Sequence, residues 1–282
     1  MKLSRTEAEL YIPDGAPEAE ALARTTHLAI GAHQDDLEIM AAHGILACYD
    51  DPDQWFTGVT VTNGAGTPRS GAFAEYTNDQ MVEARNREQR EAAALGQYAA
   101  QFLLAHPSAD VKLAKGSPAI GDIEAILRAT APRFLYTHNL ADKHETHIGV
   151  ALRVIEAVRR LPLAERPKLV HGCEVWRDLD WMADDEKVVL DLSTNEPLQD
   201  ALVAVFASQI AGGKRYDLAA QGRRRAHATY AASHVVDNAS GVAYAMDLTP
   251  LAHDDTLDPA AYVCAFIDRL RIDVRDRIER CR

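Results

Sequence analysis

No run of eighteen uninterrupted apolar residues occurs in this 282-residue sequence, so no membrane-spanning helix is expected. Positive charge is also in short supply. With 30 Lys and Arg against 42 Asp and Glu, the formal net charge is −12. A surface this acidic gains nothing from releasing phosphate counterions and is repelled by anionic headgroups, so neither nucleic acid nor a membrane surface is an expected partner. Cysteine is scarce and scattered: Cys48, Cys173, Cys264 and Cys281 form no CxxC knuckle. Such spacing suits free thiols in a reducing, cytoplasmic setting better than a disulfide framework or a thiolate metal site. No internal repeat or low-complexity tract stands out. Residues 1–25 hold Glu, Asp and Pro where a secretory leader needs an apolar run, and read as a lead-in arm.

What is present is an alternation of short β-branched runs with longer helical segments. Strands are expected at Thr26–Ala32, Phe56–Thr62, Gln101–Leu104, Phe134–Thr137, Leu169–Trp176 and Lys187–Leu192. Helices are expected at Leu37–Cys48, Asn78–Leu95 (closed by Gly96), Ile120–Ala129 and His147–Arg160. The remainder reads as mainly helical, from Pro197 through Tyr230 and again from Pro259 onward. The domain reading is an arm over 1–25, one α/β domain over 26–258, and a helix over 259–282. That last helix carries Tyr262, Phe266, Leu270, Val274 and Ile278 at four-residue spacing, a stripe suited to packing on the body or on a second copy. Strands alternating with helices imply a mostly parallel sheet with right-handed crossovers, and ligands beyond the carboxyl ends of the strands.

Two clusters follow strands one and four. His33 and Asp36 are three apart, as are His144 and His147, so each pair shares one face of a helix start. Asp142 is placed to cap the second helix. Two histidines and a carboxylate are the ligand set of many catalytic zinc sites, whose bound water titrates near pH 7. Asp35, beside Asp36 but pointing elsewhere, can take a proton from that water and return it to a leaving nitrogen. His144 can donate a hydrogen bond to a developing oxyanion. The exit of strand one, Gly31-Ala32-His33-Gln34-Asp35, is no GxGxxG, which disfavours dinucleotide binding.

The stretch Ala32-His33-Gln34-Asp35-Asp36-Leu37-Glu38-Ile39 resembles the Ala-His-Pro-Asp-Asp-x-Glu signature of the PIG-L/LmbE de-N-acetylase family. Asp142-Lys143-His144-Glu145-Thr146-His147 resembles that family's second motif, Asp-x-His-Pro-Asp-His. Val61-Thr62-Asn63-Gly64, the Arg85-x-x-Glu88 helix and Ser208-Gln209 extend the resemblance over roughly residues 26–210. It implies a Rossmann-like three-layer α/β sandwich with the metal site at the C-terminal ends of the strands. It further implies one Zn2+ per chain (another divalent ion such as iron(II) being an alternative) held by His33, Asp36 and His147. Asp35 would be the general base, His144 the oxyanion-stabilising or acid residue, and Arg85 and Asn63 substrate contacts. The implied reaction is hydrolysis of the N-acetyl amide of an N-acetylglucosamine-type sugar or conjugate, a small-molecule amino-sugar substrate.

Two positions depart from the pattern. Gln34 replaces a proline, which is expected to loosen the loop. Thr146 replaces an aspartate that would raise a neighbouring histidine's pKa, so a lower His144 pKa is expected. Other readings of the same residues are a zinc amidase or esterase on a non-sugar substrate, and a non-catalytic Rossmann-like binding protein; an intact Asp35 disfavours the latter. Among the remaining histidines, His138 is a candidate to orient a ligand, His43 reads as a packed core residue, and His106 as part of a surface turn. Trp176 and Trp181 are candidates to stack on a sugar ring, with aromatic core packing an equal alternative. Arg223-Arg224-Arg225 reads as a solvated helix face.

Overall fold

The computed structural model describes residues 1–113, 115–211 and 213–282. Among these, one mixed sheet holds β1 (Glu9–Tyr11), β2 (His27–Gly31), β3 (Phe56–Thr62), β4 (Ala100–His106), β5 (Phe134–His138), β6 (Leu169–Cys173), β7 (Lys187–Asp191) and β8 (Val242–Asp247). Their spatial order is β1-β4-β3-β2-β5-β6-β8-β7. Strands β2 to β6 run parallel. β1 is antiparallel to β4, and β8 is antiparallel to both β6 and β7. The chain winds outward from β2 through β3 to β4, then crosses back to the other side of β2 to start β5. Loops leaving β2 and β5 therefore diverge at their carboxyl ends, opening the crevice in which sheets of this kind bind ligands. Both histidine–aspartate motifs follow those two strands.

Strand β2 is buried along its whole length. Leu28 and Ile30 pack with Ile123, Val150 and Val154, from helices Ala119–Thr130 and Glu145–Arg159. Ala29, pointing the other way, packs with Ile45 and Ala92, from helices Ala42–Cys48 and Asn78–Leu95. This period-two division of one strand between two helix layers is what makes the fold a three-layer sandwich.

The helix Asn78–Leu95 has the predicted bounds, fixed by a reciprocal capping box between Thr77 and Gln80. Gly96 follows it with an ordinary φ of −81°, and Gln97 takes the left-handed turn at φ 55°. Gly96 serves space instead: a Cβ there would lie 2.5 Å from the Tyr98 ring. The helix expected over Leu37–Cys48 is two, Asp36–Met40 and Ala42–Cys48, broken at Ala41. The N-terminal arm contributes β1, whose Glu9, Leu10 and Tyr11 pair with Leu103, Phe102 and Gln101. β8 lies between the two late segments read as helical, where no strand was expected. β6 ends at Cys173, leaving Trp176 in the loop beyond the sheet. In helix Pro259–Arg280, Val263 and Phe266 are buried and the Tyr262 hydroxyl donates to the Asp247 carbonyl at 2.7 Å, while Ile272, Val274 and Ile278 are exposed. Among the described residues no helix is long and apolar enough to cross a membrane.

One core group makes stability pH-dependent. His27, buried at the start of β2, stacks on Phe134 with ring centroids 4.4 Å apart. Burial, with His43 and Arg133 adding to it, lowers its pKa from 6.5 to about 4. The unfolded chain takes a proton near pH 6.5 that the folded chain refuses until about pH 4, so this contribution is complete above 6.5 and lost as pH falls through that window. Urea unfolding at pH 7 and pH 5 should show about 2 kcal/mol of this loss in the native chain but not in His27→Phe. An identical pH dependence in the two would remove His27 as its source.

Candidate metal centre

At the carboxyl end of β2 the chain turns abruptly. Asp35 adopts φ 97° and precedes the helix that opens at Asp36. That backbone is costly for a non-glycine residue, of order 1 kcal/mol, and such strain clusters at functional sites. It sends adjacent carboxylates to different places. Asp36 Oδ2 accepts the His33 backbone N–H at 2.7 Å and faces the imidazoles, while Asp35 lies 3.7 Å from the Arg85 guanidinium.

Three donor atoms converge beside Asp36. His33 Nδ1 is 3.3 Å from Asp36 Oδ2 and 3.2 Å from His147 Nε2, and His147 Nε2 is 3.5 Å from Asp36 Oδ2. A tetrahedral ion with bonds of about 2.0–2.1 Å spaces its donors about 3.3–3.4 Å apart, so a zinc-sized cation fits this set. Two overlapping groups have metal-site spacing among the described residues: His33, His144 and His147, and Asp36, His138 and His147. The three ligands expected from the sequence draw on both. His138 differs from them because its Nε2, 3.4 Å from Asp36, already accepts the Ala32 N–H at 2.9 Å. A lone pair used that way braces the β2 exit and is not free for a cation.

Asp142 does more than open a helix. His144 is the N-cap residue there, without a side-chain cap. Asp142 Oδ1 accepts the Lys143 and His144 N–H groups, and Oδ2 accepts His147 Nδ1 at 3.2 Å and the Trp176 N–H at 3.2 Å. This carboxylate therefore holds the His147 proton on Nδ1 and turns Nε2 towards His33 and Asp36.

The electrostatics separate the two aspartates. Burial opposes ionisation of both. In Asp36 it is overcome by His147 and His138, which hold its carboxyl well below the usual range. In Asp35 burial prevails over the pull of Arg85, with Asp36 and Glu38 adding to it, and the pKa stands well above 3.8. His144 is lowered, first by burial and then by the neighbouring His147 and His33. Its Nδ1 is buried without a hydrogen-bond partner among the described residues, and Thr146 supplies no carboxylate to it.

The open space beside these groups is about 440 Å³, and His33, Asp35, Asp36, Arg85 and His144 are among its lining residues. Arg85 is buried, its Nη2 donating to the Gln34 carbonyl at 2.6 Å and Nη1 to the Gly64 carbonyl at 3.3 Å. Gly64, at φ 68°, is tight against the same residues: a Cβ would lie 2.4 Å from Gln34 Oε1. Gln34 does not loosen the loop as expected, because its Nε2 donates to Asn86 Oδ1 at 2.9 Å. Asn63 is not among the lining residues; its side-chain oxygen accepts the Ala65 N–H and closes its own turn. Glu88 clamps the late helix by accepting the Ser208 N–H at 2.8 Å and hydroxyl at 2.6 Å, which sets Gln209 in the cavity wall.

Two other expectations need correction, and the alternatives for the tryptophans are decided. His106 is fully buried and bonds Asp122 through Nε2 at 2.9 Å, so it is no surface turn. Arg224 is buried and donates to the Glu38 and Ile39 carbonyls, so the basic cluster is not a uniformly solvated face. Trp181 packs on the core, donating to the Asp178 carbonyl, whereas Trp176 lines the cavity. Glu38, noted above only as part of the first motif, accepts hydrogen bonds from Gln89 and Tyr98 at 2.8 Å each, and burial raises its pKa to about 7.

The family model for PIG-L, GlcNAc-PI de-N-acetylase, matches residues 28–158, which span both motifs. No curated protein matches the sequence. Among solved structures, the 4-carboxy-2-hydroxymuconate hydratase of Pseudomonas putida superposes with a TM-score of 0.61 at 17% identity, covering 79% of this chain and 95% of that one. N,N'-diacetylchitobiose deacetylase of Pyrococcus horikoshii gives 0.60 at 16% identity over 82% and 88% of the two chains. A zinc-inhibited teicoplanin deacetylase gives 0.55 at 15% identity over 79% and 97%. At such identities the structural likeness shows a shared fold. The family match adds the sequence of the site itself: the segment that carries both motifs is similar to the PIG-L de-N-acetylase family.

Proposed function

We propose that the chain is a metal-dependent hydrolase that cleaves the N-acetyl amide of an N-acetylglucosamine-type sugar or conjugate, releasing acetate and a free amine. The observation that carries this reading is the close set of His33 Nδ1, Asp36 Oδ2 and His147 Nε2 in a cavity that also holds a buried Asp35 beside Arg85. Those three atoms would hold one divalent cation, and zinc suits a nitrogen-and-carboxylate set. When bound, such an ion polarises the amide carbonyl and makes water a nucleophile at neutral pH.

The chain's own groups supply the rest. Asp35 takes the proton of the attacking water on its carboxylate and hands it to the leaving nitrogen, a role suited to a carboxyl whose pKa burial has raised. His144, near the ligand histidines, donates one N–H to the carbonyl oxygen as it gains charge. Arg85 forms the wall beside Asp35 and keeps the carboxylate in place while facing the substrate's hydroxyls. Since a hydratase shares this fold, the assay should follow acetate and free amine rather than loss of substrate. The expected result is acetate release from a panel of N-acetylglucosamine derivatives, abolished by chelation and restored by one equivalent of zinc. Protein that carries no divalent metal and is not activated by adding it would overturn the reading.

A further inference from the structure

Beside the main cavity lies a second hollow of about 180 Å³. The two share Ile39, Val175, Trp176 and Tyr216 as lining, and Ala219 and Ala220 of helix Tyr216–Tyr230 complete the second. Its one charged lining residue, Arg223, donates from Nη1 to the Val175 carbonyl at 2.6 Å, which holds the guanidinium against the backbone. Trp176 stands at the junction. Its ring lies 6.3 Å from that of His144, nearly parallel at 24°, and 6.2 Å from that of Tyr216, edge-on at 86°.

The rest of the main cavity's lining has a different character, with Thr67, Arg85, Ser108, Lys112 and Gln209, and Lys214 over the Trp176 ring at 4.9 Å. Sugar hydroxyls find hydrogen-bond partners there and lose them against Ile39, Val175 and Trp176. An amide held at the metal centre with its sugar on the polar side therefore directs its acyl group towards the second hollow. A methyl group leaves most of 180 Å³ empty, whereas an apolar cavity of roughly 150 Å³ takes up a whole benzene ring.

We propose that this hollow is an acyl-chain subsite, and that the acyl group best fitted to the site is a six-carbon chain or a single ring rather than acetyl. The proposal rests on the amide-hydrolase reading above and departs from it in one respect, putting a longer acyl group in place of acetyl. The chemistry is unchanged: water adds to the carbonyl carbon, the C–N bond breaks, the acyl group leaves as a carboxylate, and the amine nitrogen takes the proton.

The test compares kcat/KM for N-acetyl-, N-butanoyl- and N-hexanoylglucosamine, with the benzyl glycoside of N-acetylglucosamine as a control for an apolar aglycone. Each buried methylene is worth about fourfold, so a rise of at least about tenfold is expected from acetyl to hexanoyl. In Ala220→Leu, which fills the hollow, the hexanoyl-to-acetyl ratio should fall back towards one. Equal or lower kcat/KM for hexanoyl would overturn the proposal, as would a comparable gain from the benzyl aglycone instead. Calorimetry with acetate and hexanoate on the zinc-loaded protein gives a readout independent of turnover, with hexanoate expected about tenfold tighter and equal affinities counting against the subsite. Tighter hexanoate binding that Ala220→Leu removes, in a protein that cleaves none of the amides, would uphold the subsite and sink the hydrolase reading alone.

Discussion

Asp35→Asn is expected to keep its metal and lose turnover by about 10²–10⁴-fold, the range that proton transfer by a positioned side chain contributes. The substitution is close to isosteric, and asparagine tolerates positive φ at least as well as aspartate, so the turn at φ 97° should survive. Arg85 also has other anchors, the Gln34 and Gly64 carbonyls, and does not depend on the Asp35 charge to stay in place. What disappears is the capacity to accept a proton within reach of the cavity. Elemental analysis and acetate release on the same preparation separate the two effects. An Asp35→Asn protein with full activity would mean that another group moves the proton. One that loses its metal would mean that Asp35 belongs to the ligand set.

The second large effect falls on metal binding. His147→Ala should leave no stoichiometric metal after dialysis, because its Nε2 is the donor common to both candidate groups. Asp142→Asn is the more informative change, expected to weaken metal affinity by about 10–100-fold without touching a ligand. Asp142 accepts backbone N–H groups from three residues besides the His147 ring, so its position is fixed. An asparagine amide can offer N–H to His147 Nδ1 where the carboxylate only accepts. That favours the opposite tautomer, with the proton on Nε2 and no lone pair for the cation. Competition with a chelator of known affinity measures the loss. An Asp142→Asn chain that binds metal as tightly as the native one would show that the His147 tautomer is set elsewhere.

The alternation of strands and helices, the parallel centre of the sheet and the two motifs that follow β2 and β5 are legible in the order of the residues. These were readable because each is a local matter. Buried central strands are continuous apolar runs, and His33-Gln34-Asp35-Asp36 is a turn whose spacing lies within a single helical start. β8 was not readable, since Val242-Ala243-Tyr244-Ala245-Met246 mixes strand and helix formers and only its place between β6 and β7 makes it extended. β1 is three residues long and exists through its pairing with β4. The site divides the same way. Ligand identity is a property of residue type and spacing, whereas the roles of His138, Asp142 and Glu88 depend on partners up to 120 positions away. Tertiary structure alone turned the Asn63 side chain onto the Ala65 N–H and placed Trp176 between His144 and an apolar hollow. It did so because the orientation of a side chain and the shape of a void follow from packing between segments that sequence spacing does not connect.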